Sequence, residues 1–350
     1  MDGLLSAFES LFSVRPFCLM MVGTALGITV GAIPGLTGAM LIAVTLPLTF
    51  AMGGSDAMVL LVSMYVGSIS GGLITATLLR IPGTPASIMT TLDGYPLAQQ
   101  GRPGRALGLG ICASFVGGLI SWFFLVGLSR PIARWSIELL GPYEYFSLIL
   151  MAMVLMASVS GRSITKGMFS GFLGILLAMP GLSPSTGELR LTFGFTELSD
   201  GFKLLPVLIG MFAVNQIIRD IIEIEQEGTV VRMSRRGMLM SLADWKRQAV
   251  NLLRSSLIGT WVGILPGIGA NIGSAMAYSA AKNFSAHPEK FGHGAEEGVV
   301  SSEAANNATI GGALIPLIAL GIPGSVIDAI LLGALVIHGL QPGPLLFQND

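Results

Sequence analysis

The sequence predicts an all-α, polytopic transmembrane bundle, and three observations carry that prediction. Only 11% of the 350 residues are charged while 52% are apolar, and the mean hydropathy is +0.75. A typical soluble domain holds about 25% charged residues, so this chain lacks the charge to cover a water-facing surface. Several apolar segments reach the roughly 20 residues that cross a bilayer core. Finally, a Pro-Gly-interrupted apolar block occurs twice, once towards each end of the chain.

Residues 1–16 place Leu4, Leu5, Phe8, Leu11 and Phe12 at helical spacing, which reads as a short amphipathic helix on the membrane interface. They lack the basic start and small-residue cleavage site of a signal peptide. A first transmembrane repeat is expected over 17–222. It begins with Phe17–Phe50, broken by Pro34-Gly35 at its middle, and continues with Ala57–Leu79, Ala106–Leu128, Tyr143–Ser160, Ile164–Met179 and Phe202–Ile222. A linker follows over 223–254. Its Arg232, Arg235, Arg236, Lys246, Arg247 and Arg254 make it cytoplasmic by the excess of positive charge on that side. The second repeat, 255–350, contains Leu252–Ala281 with Pro266-Gly267 inside, then Ala308–Pro323 and Ile327–Leu340, and reads as truncated relative to the first. Arg102 with Arg105, and Arg162 with Lys166, mark further cytoplasmic loops, and Gly181–Lys203 would face the other side. Arg130 and Arg134 break strict alternation, so one segment is re-entrant or miscounted.

A net charge of −1 offers nothing to nucleic acid. Cys18 and Cys112 sit in apolar stretches and read as small hydrophobes. His287, His293 and His338 have no metal-ligand spacing, and no zinc-protease, nucleophile-elbow or Walker motif occurs, so the expectation is a non-enzyme without cofactor and without a nucleotide site.

The strongest signal is internal. Gly27-x3-Gly31-Ala32-Ile33-Pro34-Gly35 reappears as Gly259-x3-Gly263-Ile264-Leu265-Pro266-Gly267. In each half a Gly-Gly pair follows, Gly71-Gly72 and Gly311-Gly312. Then comes an Ile-Pro-Gly break, Ile81-Pro82-Gly83-Thr84 nine residues on and Ile322-Pro323-Gly324-Ser325 ten residues on. A continuous helix satisfies its own backbone groups, whereas a Pro-Gly break frees several of them within the membrane. Half-helix N-termini attract anions and unwound carbonyls attract cations, and such backbone survives only where buried or lining a cavity. Paired breaks of this kind point to a secondary transporter whose repeats, inverted or parallel, meet at one central site. The bland alternative is that these residues only kink helices or let them pack closely.

The chain resembles the large membrane subunit of the tripartite tricarboxylate transporters, the TctA type. The resemblance runs from about residue 17 to the end. It is carried by GAIPGLTGAMLIAVTLP (31–47), YVGSISGGLITATLLRIPGTPASIMTTLDGYP (65–96), GTWVGILPGIGANIGSAMAY (259–278) and FGHGAEEGVVSSEAANNATIGGALIPLIALGIPGSVIDAILLGALVIHGLQPGPLLF (291–347). It implies a multi-pass carrier of the bacterial inner membrane, moving a carboxylate such as citrate with Na+ or H+. It also implies a small membrane subunit (TctB-type) and a periplasmic solute-binding protein (TctC-type) as partners. Members are usually longer than this chain.

Candidate site residues follow from the breaks. Thr84, Ser87 and Ser325 come just after the Ile-Pro-Gly turns and either bind a carboxylate or bond back onto their own helices. Asn271 follows the second Pro-Gly. Asn306, Asn307 and Thr309 put amides and a hydroxyl into an apolar run, where they bind substrate or Na+ or tie helices together. Backbone at Pro34, Gly35, Pro82, Gly83, Pro266, Gly267, Pro323 and Gly324 could coordinate ions, with Na+ expected near Gly35, Gly267, Asn306 and Thr309. Arg80, Asp93, Glu303 and Asp328 are the charges near apolar spans. Arg80 could draw in a carboxylate or snorkel, and Glu303 could carry a coupling proton or sit in a loop. A channel, a carrier for another organic solute, an intramembrane enzyme and a passive scaffold are the other readings. A channel lacks a filter loop or charge ring here, an enzyme lacks a catalytic constellation, and a scaffold has no use for matched breaks.

Overall fold

The computed structural model describes residues 2–139, 141–159, 163–183, 188–202 and 237–347, with isolated positions between 206 and 221. Most of the expected span Phe202–Ile222 and of the linker, including Arg232, Arg235 and Arg236, lies outside the described residues. Among the described residues the chain is helical, with a single two-stranded hairpin pairing Gly181–Leu182 with Leu189–Arg190.

The amphipathic start is α1 (Asp2–Leu11), and its Phe8 ring meets Trp122 edge-on at 6.1 Å. Next come α2 (Val14–Gly31), α3 (Gly38–Thr45), α4 (Gly54–Leu78), α5 (Ile88–Gln99) and α6 (Pro103–Leu139). Then follow α7 (Pro142–Val159), α8 (Ile164–Ala178), α9 (Leu242–Ile264), α10 (Gly269–Phe284), α11 (Glu296–Leu320) and α12 (Val326–Ile337). By length and composition α2, α4 and α6 can each cross a membrane. The 37 residues of α6 extend about 55 Å, well past a hydrocarbon core of about 30 Å. Arg130 and Arg134 lie within this helix, towards the end opposite Arg105, rather than in a loop.

The helices break where the sequence says. After α2 the chain turns at Ile33–Leu36 with Gly35 at φ 91°, and α3 starts with the Thr37 hydroxyl accepting from the Met40 amide at 3.2 Å. After α9 it turns through Gly267 and Gly269 at φ 79° and 75°. These positive angles are the reason glycine stands there. Between α11 and α12 the αL cap is Gly321 at φ 72°. Between α4 and α5 the residue in that conformation is Arg80 at φ 59°. An αL residue other than glycine costs about 1 kcal/mol, so Arg80 holds a position the backbone alone would give to glycine.

Glycines set the packing. A Cβ at Gly27 or Gly31 would strike the backbone of α4 at Met64 and Ser68, and one at Gly71 would strike Ile28. Likewise a Cβ at Gly259 or Gly263 would strike α11 at Ala305 and Thr309, and one at Gly312 would strike Thr260. Residue numbers rise together along α2 and α4, and together along α9 and α11, so each pair runs parallel with a turned-back segment between. Contacts between the pairs run the other way: Ser70 of α4 meets Asn307 of α11, while Tyr65, earlier on α4, meets Ser325, beyond the end of α11. Gly83 packs on Gly31 and Gly72, and Gly324 packs on Gly263 and Ala313. The contacts match Gly71 to Gly312 rather than to Gly311. This removes the one-residue difference in spacing between the two Ile-Pro-Gly breaks.

The interior sits around α11, in which every residue from Gly298 to Leu317 is buried. It carries six polar side chains in that length, and all face protein. By contrast α6, α7 and α8 expose Phe115, Phe123, Phe146, Phe169 and Leu176, as a lipid-facing wall would. At one end of the bundle Arg105 ties three helix starts together. It bonds Asp244 through both nitrogens at 2.8 and 2.5 Å and Glu296 at 3.1 and 2.8 Å, with Arg102 and Arg247 also on Glu296. The hydrogen bond from Arg105, with others from Ser241, holds the Asp244 carboxyl well below its usual range. Burial opposes ionisation of Glu296, but the bonds from Arg105 and Arg102 outweigh it and lower that group too.

Candidate functional site at the helix breaks

The candidate residues divide by whether their polar atoms are satisfied. Glu303 on α11 is fully buried. Thr90 of α5 donates to its Oε1 at 2.5 Å, and Ser114 of α6 donates to its Oε2 at 3.2 Å. Asn307, one turn on, donates to Ser114 Oγ at 2.7 Å and to the Glu303 carbonyl at 3.2 Å, and accepts from Ser70 of α4 at 2.8 Å. Glu303 is therefore in a buried helix rather than a loop, and with Asn307 it stitches α4, α5, α6 and α11 into one network. Such a network rigidifies a core when it is complete.

Asn306 differs. It is fully buried; its amide lies near the Glu303 carboxylate, but neither its nitrogen nor its oxygen meets a partner in hydrogen-bond geometry among the described residues. Helical periodicity puts it on the face shared by Ser302 and Ala313. Ser302 meets Thr90, at the start of α5 beyond the first break, at 3.1 Å, and Ala313 meets Gly324 in the second break. Asn306 thus lies between the two breaks. Thr84 also has a buried, unpartnered hydroxyl, adjoining Gly72. Thr75, next to Gly83, has another. Arg80 is exposed, and its guanidinium lies 5.8 Å from the centre of the Tyr95 ring.

Other candidates are used locally. Ser87 accepts from the Thr84 amide and donates to the Thr84 carbonyl, Thr309 donates to the Ala305 carbonyl at 2.8 Å, and Ser325 caps α12 by accepting from the Asp328 amide at 3.3 Å. Asn271 is exposed on α10 rather than buried at the break. Pro34, Gly35 and Pro82 are exposed, Pro266 is buried, and Gly267 N–H donates to the Gly324 carbonyl at 2.9 Å, so the two turns of that half of the chain are bonded together. Pro323 is partly exposed.

Asp93 has a structural task. Its Oδ1 accepts from the amides of Gly292, Gly294 and Ala295 at 2.8–2.9 Å, and its Oδ2 accepts from Tyr278 at 2.8 Å. It pins the loop that opens α11. Sequence reading missed Thr90, Ser114 and Ser70, because lone hydroxyls in apolar spans carry no signal until a distant carboxylate meets them.

A cleft of about 740 Å³ lies between α2, α4, α6 and α11, with Ser70, Ser114 and Asn307 as its polar floor. Its apolar walls, Ile28, Leu73, Phe115 and Trp122 among them, suit acyl chains better than a carboxylate. Among the described residues no three His, Cys, Asp or Glu side chains cluster as a metal ion would need.

The chain is 36% identical over 338 residues to the "Uncharacterized 52.8 kDa protein in TAR-I ttuC' 3'region" of Agrobacterium vitis, covering 96% of this chain and 67% of that one. It is 46% identical over 86 residues to the "Uncharacterized protein in TAR-II ttuC' 3'region" of the same organism, 25% of this chain and 36% of that one. No solved structure matches. The model of the Tripartite tricarboxylate transporter TctA family matches residues 17–350, and the chain belongs to that family.

Proposed function

We propose that this chain is the translocating subunit of a secondary carrier for a small tri- or dicarboxylate such as citrate, driven by Na+ or H+ across the bacterial inner membrane. In this reading a periplasmic solute-binding protein delivers the substrate and a small membrane subunit completes the carrier. The site is the space between the two breaks. Asn306 supplies the amide, Thr84 the hydroxyl, and Arg80 the positive charge that draws the anion in.

The observation that carries the reading is the position of Asn306. A buried amide without partners costs about 1–3 kcal/mol, and this one shares a helix face with Ser302, which meets Thr90 of α5, and Ala313, which meets Gly324. A bound carboxylate would accept from its nitrogen, and a bound cation would take its oxygen. The αL strain at Arg80 fits a side chain kept for use.

The parallel pairs α2–α4 and α9–α11, their matched glycine contacts and their opposite run support an inverted repeat over 17–222 and 255–350, with 223–254 as the linker. Uptake of labelled carboxylate by proteoliposomes holding the chain and its partners tests the proposal. Loss of uptake in Asn306→Ala with unchanged thermal stability supports it, and full uptake by that variant removes Asn306 from the site.

A further inference from the structure

We infer that Asp328 is the carboxylate that receives the coupling cation, a monovalent ion held beside Ser325 and Tyr65 at the start of α12. This rests on the carrier reading above and adds to it the residue and the place. Asp328 is fully buried; the Ser325 hydroxyl and amide approach its carboxyl, but neither oxygen meets a donor in hydrogen-bond geometry among the described residues. Its own amide donates to Ser325 Oγ at 3.3 Å, and Ser325 Oγ lies 3.4 Å from Tyr65 Oη. Its helix neighbours Ile330, Leu331 and Ala334 belong to one apolar cluster with Ile42, Leu46, Leu61 and Met64.

A bare carboxylate in such a place is far costlier than a bare amide, and it becomes stable only by taking a proton or a cation. The charged and titratable neighbours do not supply one. Helix α3 has none, α4 offers Tyr65, and the one charged residue in the buried length of α11 is Glu303, already bonded to Thr90 and Ser114. His338, at the far end of α12, is bonded to Thr49 at 3.0 Å. A Ser-x-x-Asp sequence at a helix start is often a reciprocal cap; here Ser325 approaches the Asp328 carboxyl without reaching hydrogen-bond geometry, so the cap is incomplete.

The location suits coupling. The Gly324 carbonyl, four residues before Asp328, is bonded to Gly267, and Gly324 packs on Ala313, one face with Asn306. Neutralising Asp328 removes the largest charge penalty next to that break and so favours whichever state buries it. A cation taken up at Asp328 is thereby linked to the state of the substrate site.

The test needs no substrate. The purified chain in lipid nanodiscs is treated with dicyclohexylcarbodiimide, which attacks protonated carboxyls in apolar surroundings, and the adducts are mapped by mass spectrometry. Asp328 should label well above Glu303. Labelling should fall at least tenfold either as pH rises without Na+, which identifies the ion as a proton, or on adding Na+ but not choline at fixed pH, which identifies it as Na+. Labelling of Asp328 that neither ion changes, or protection of Asp328 under all conditions while Glu303 labels, overturns the inference. A second readout uses Asp328→Asn in proteoliposomes. Substrate counterflow should persist while gradient-driven uptake falls at least tenfold. Equal loss of both would mean a structural cap, and transport failing in the wild type would sink the carrier reading while leaving the labelling result standing.

Discussion

Two buried carboxylates, one in each of two neighbouring stretches of the chain, are held in opposite ways. Glu303 has a hydroxyl donor on each oxygen, drawn from α5 and α6. Asp328 has none. Charge and burial are the same, so neither tells structure from function. Satisfaction does: a completed network stabilises one arrangement, whereas an open valence awaits a ligand. The same contrast separates the adjacent amides: Asn307 is bonded on both atoms, whereas Asn306 lies near Glu303 without completing a hydrogen bond on either.

Substitutions can break this contrast. The largest effect is expected for Glu303→Ala, which strands the hydroxyls of Thr90 and Ser114 in the core. At about 1–3 kcal/mol for each stranded group, thermal unfolding in detergent should shift by many degrees. Asn307→Ala should destabilise by about 2 kcal/mol, through the loss of its bonds to Ser70 and Ser114. Asp328→Asn and Asn306→Ala should stay within about 1 kcal/mol of wild type, since no bond is lost. If these two destabilise as much as Glu303→Ala, the distinction fails. Gly83→Ala, whose new methyl meets the Gly31 carbonyl, should lose about 1–3 kcal/mol by overpacking.

Arg105 sharpens the comparison from the surface. Asp244 and Glu296 have folded-state affinities for protons below their unfolded ones. Their contribution is therefore full above the ordinary carboxylate range near pH 4 and is lost as pH falls through the lower folded values. Arg105→Ala should flatten the fall in melting temperature between about pH 5 and pH 3, seen by differential scanning fluorimetry. The smallest effect is Arg80→Gly, which should relieve about 1 kcal/mol of αL strain while weakening carboxylate binding.

Much of this was legible in the residues. The helices at α4, α7 and α8, all four breaks and the odd polarity of the Glu303–Thr309 stretch are local patterns, so sequence exposes them. The length of α6 was not, because the apolar run stops at Leu128 while the helix continues through Arg130 and Arg134 to Leu139. Asp93 looked like an intramembrane charge, yet three amides from a loop some two hundred residues away occupy it. Thr309 and Asn271 looked as good as Asn306. The hydroxyl of Thr309 found its own helix, and Asn271 turned outward. Whether a polar atom is satisfied depends on partners distant in sequence, and that is the property on which the site rests.

The central claim is that the carrier site lies between the breaks and contains Asn306. Gradient-driven uptake of labelled citrate and other carboxylates should be measured in proteoliposomes holding the chain, its small membrane subunit and the binding protein. The account predicts uptake by the wild type, uptake reduced at least tenfold in Asn306→Ala with an unchanged melting temperature, and Asn271→Ala close to wild type. Wild-type uptake that survives Asn306→Ala but is lost in Asn271→Ala would contradict it.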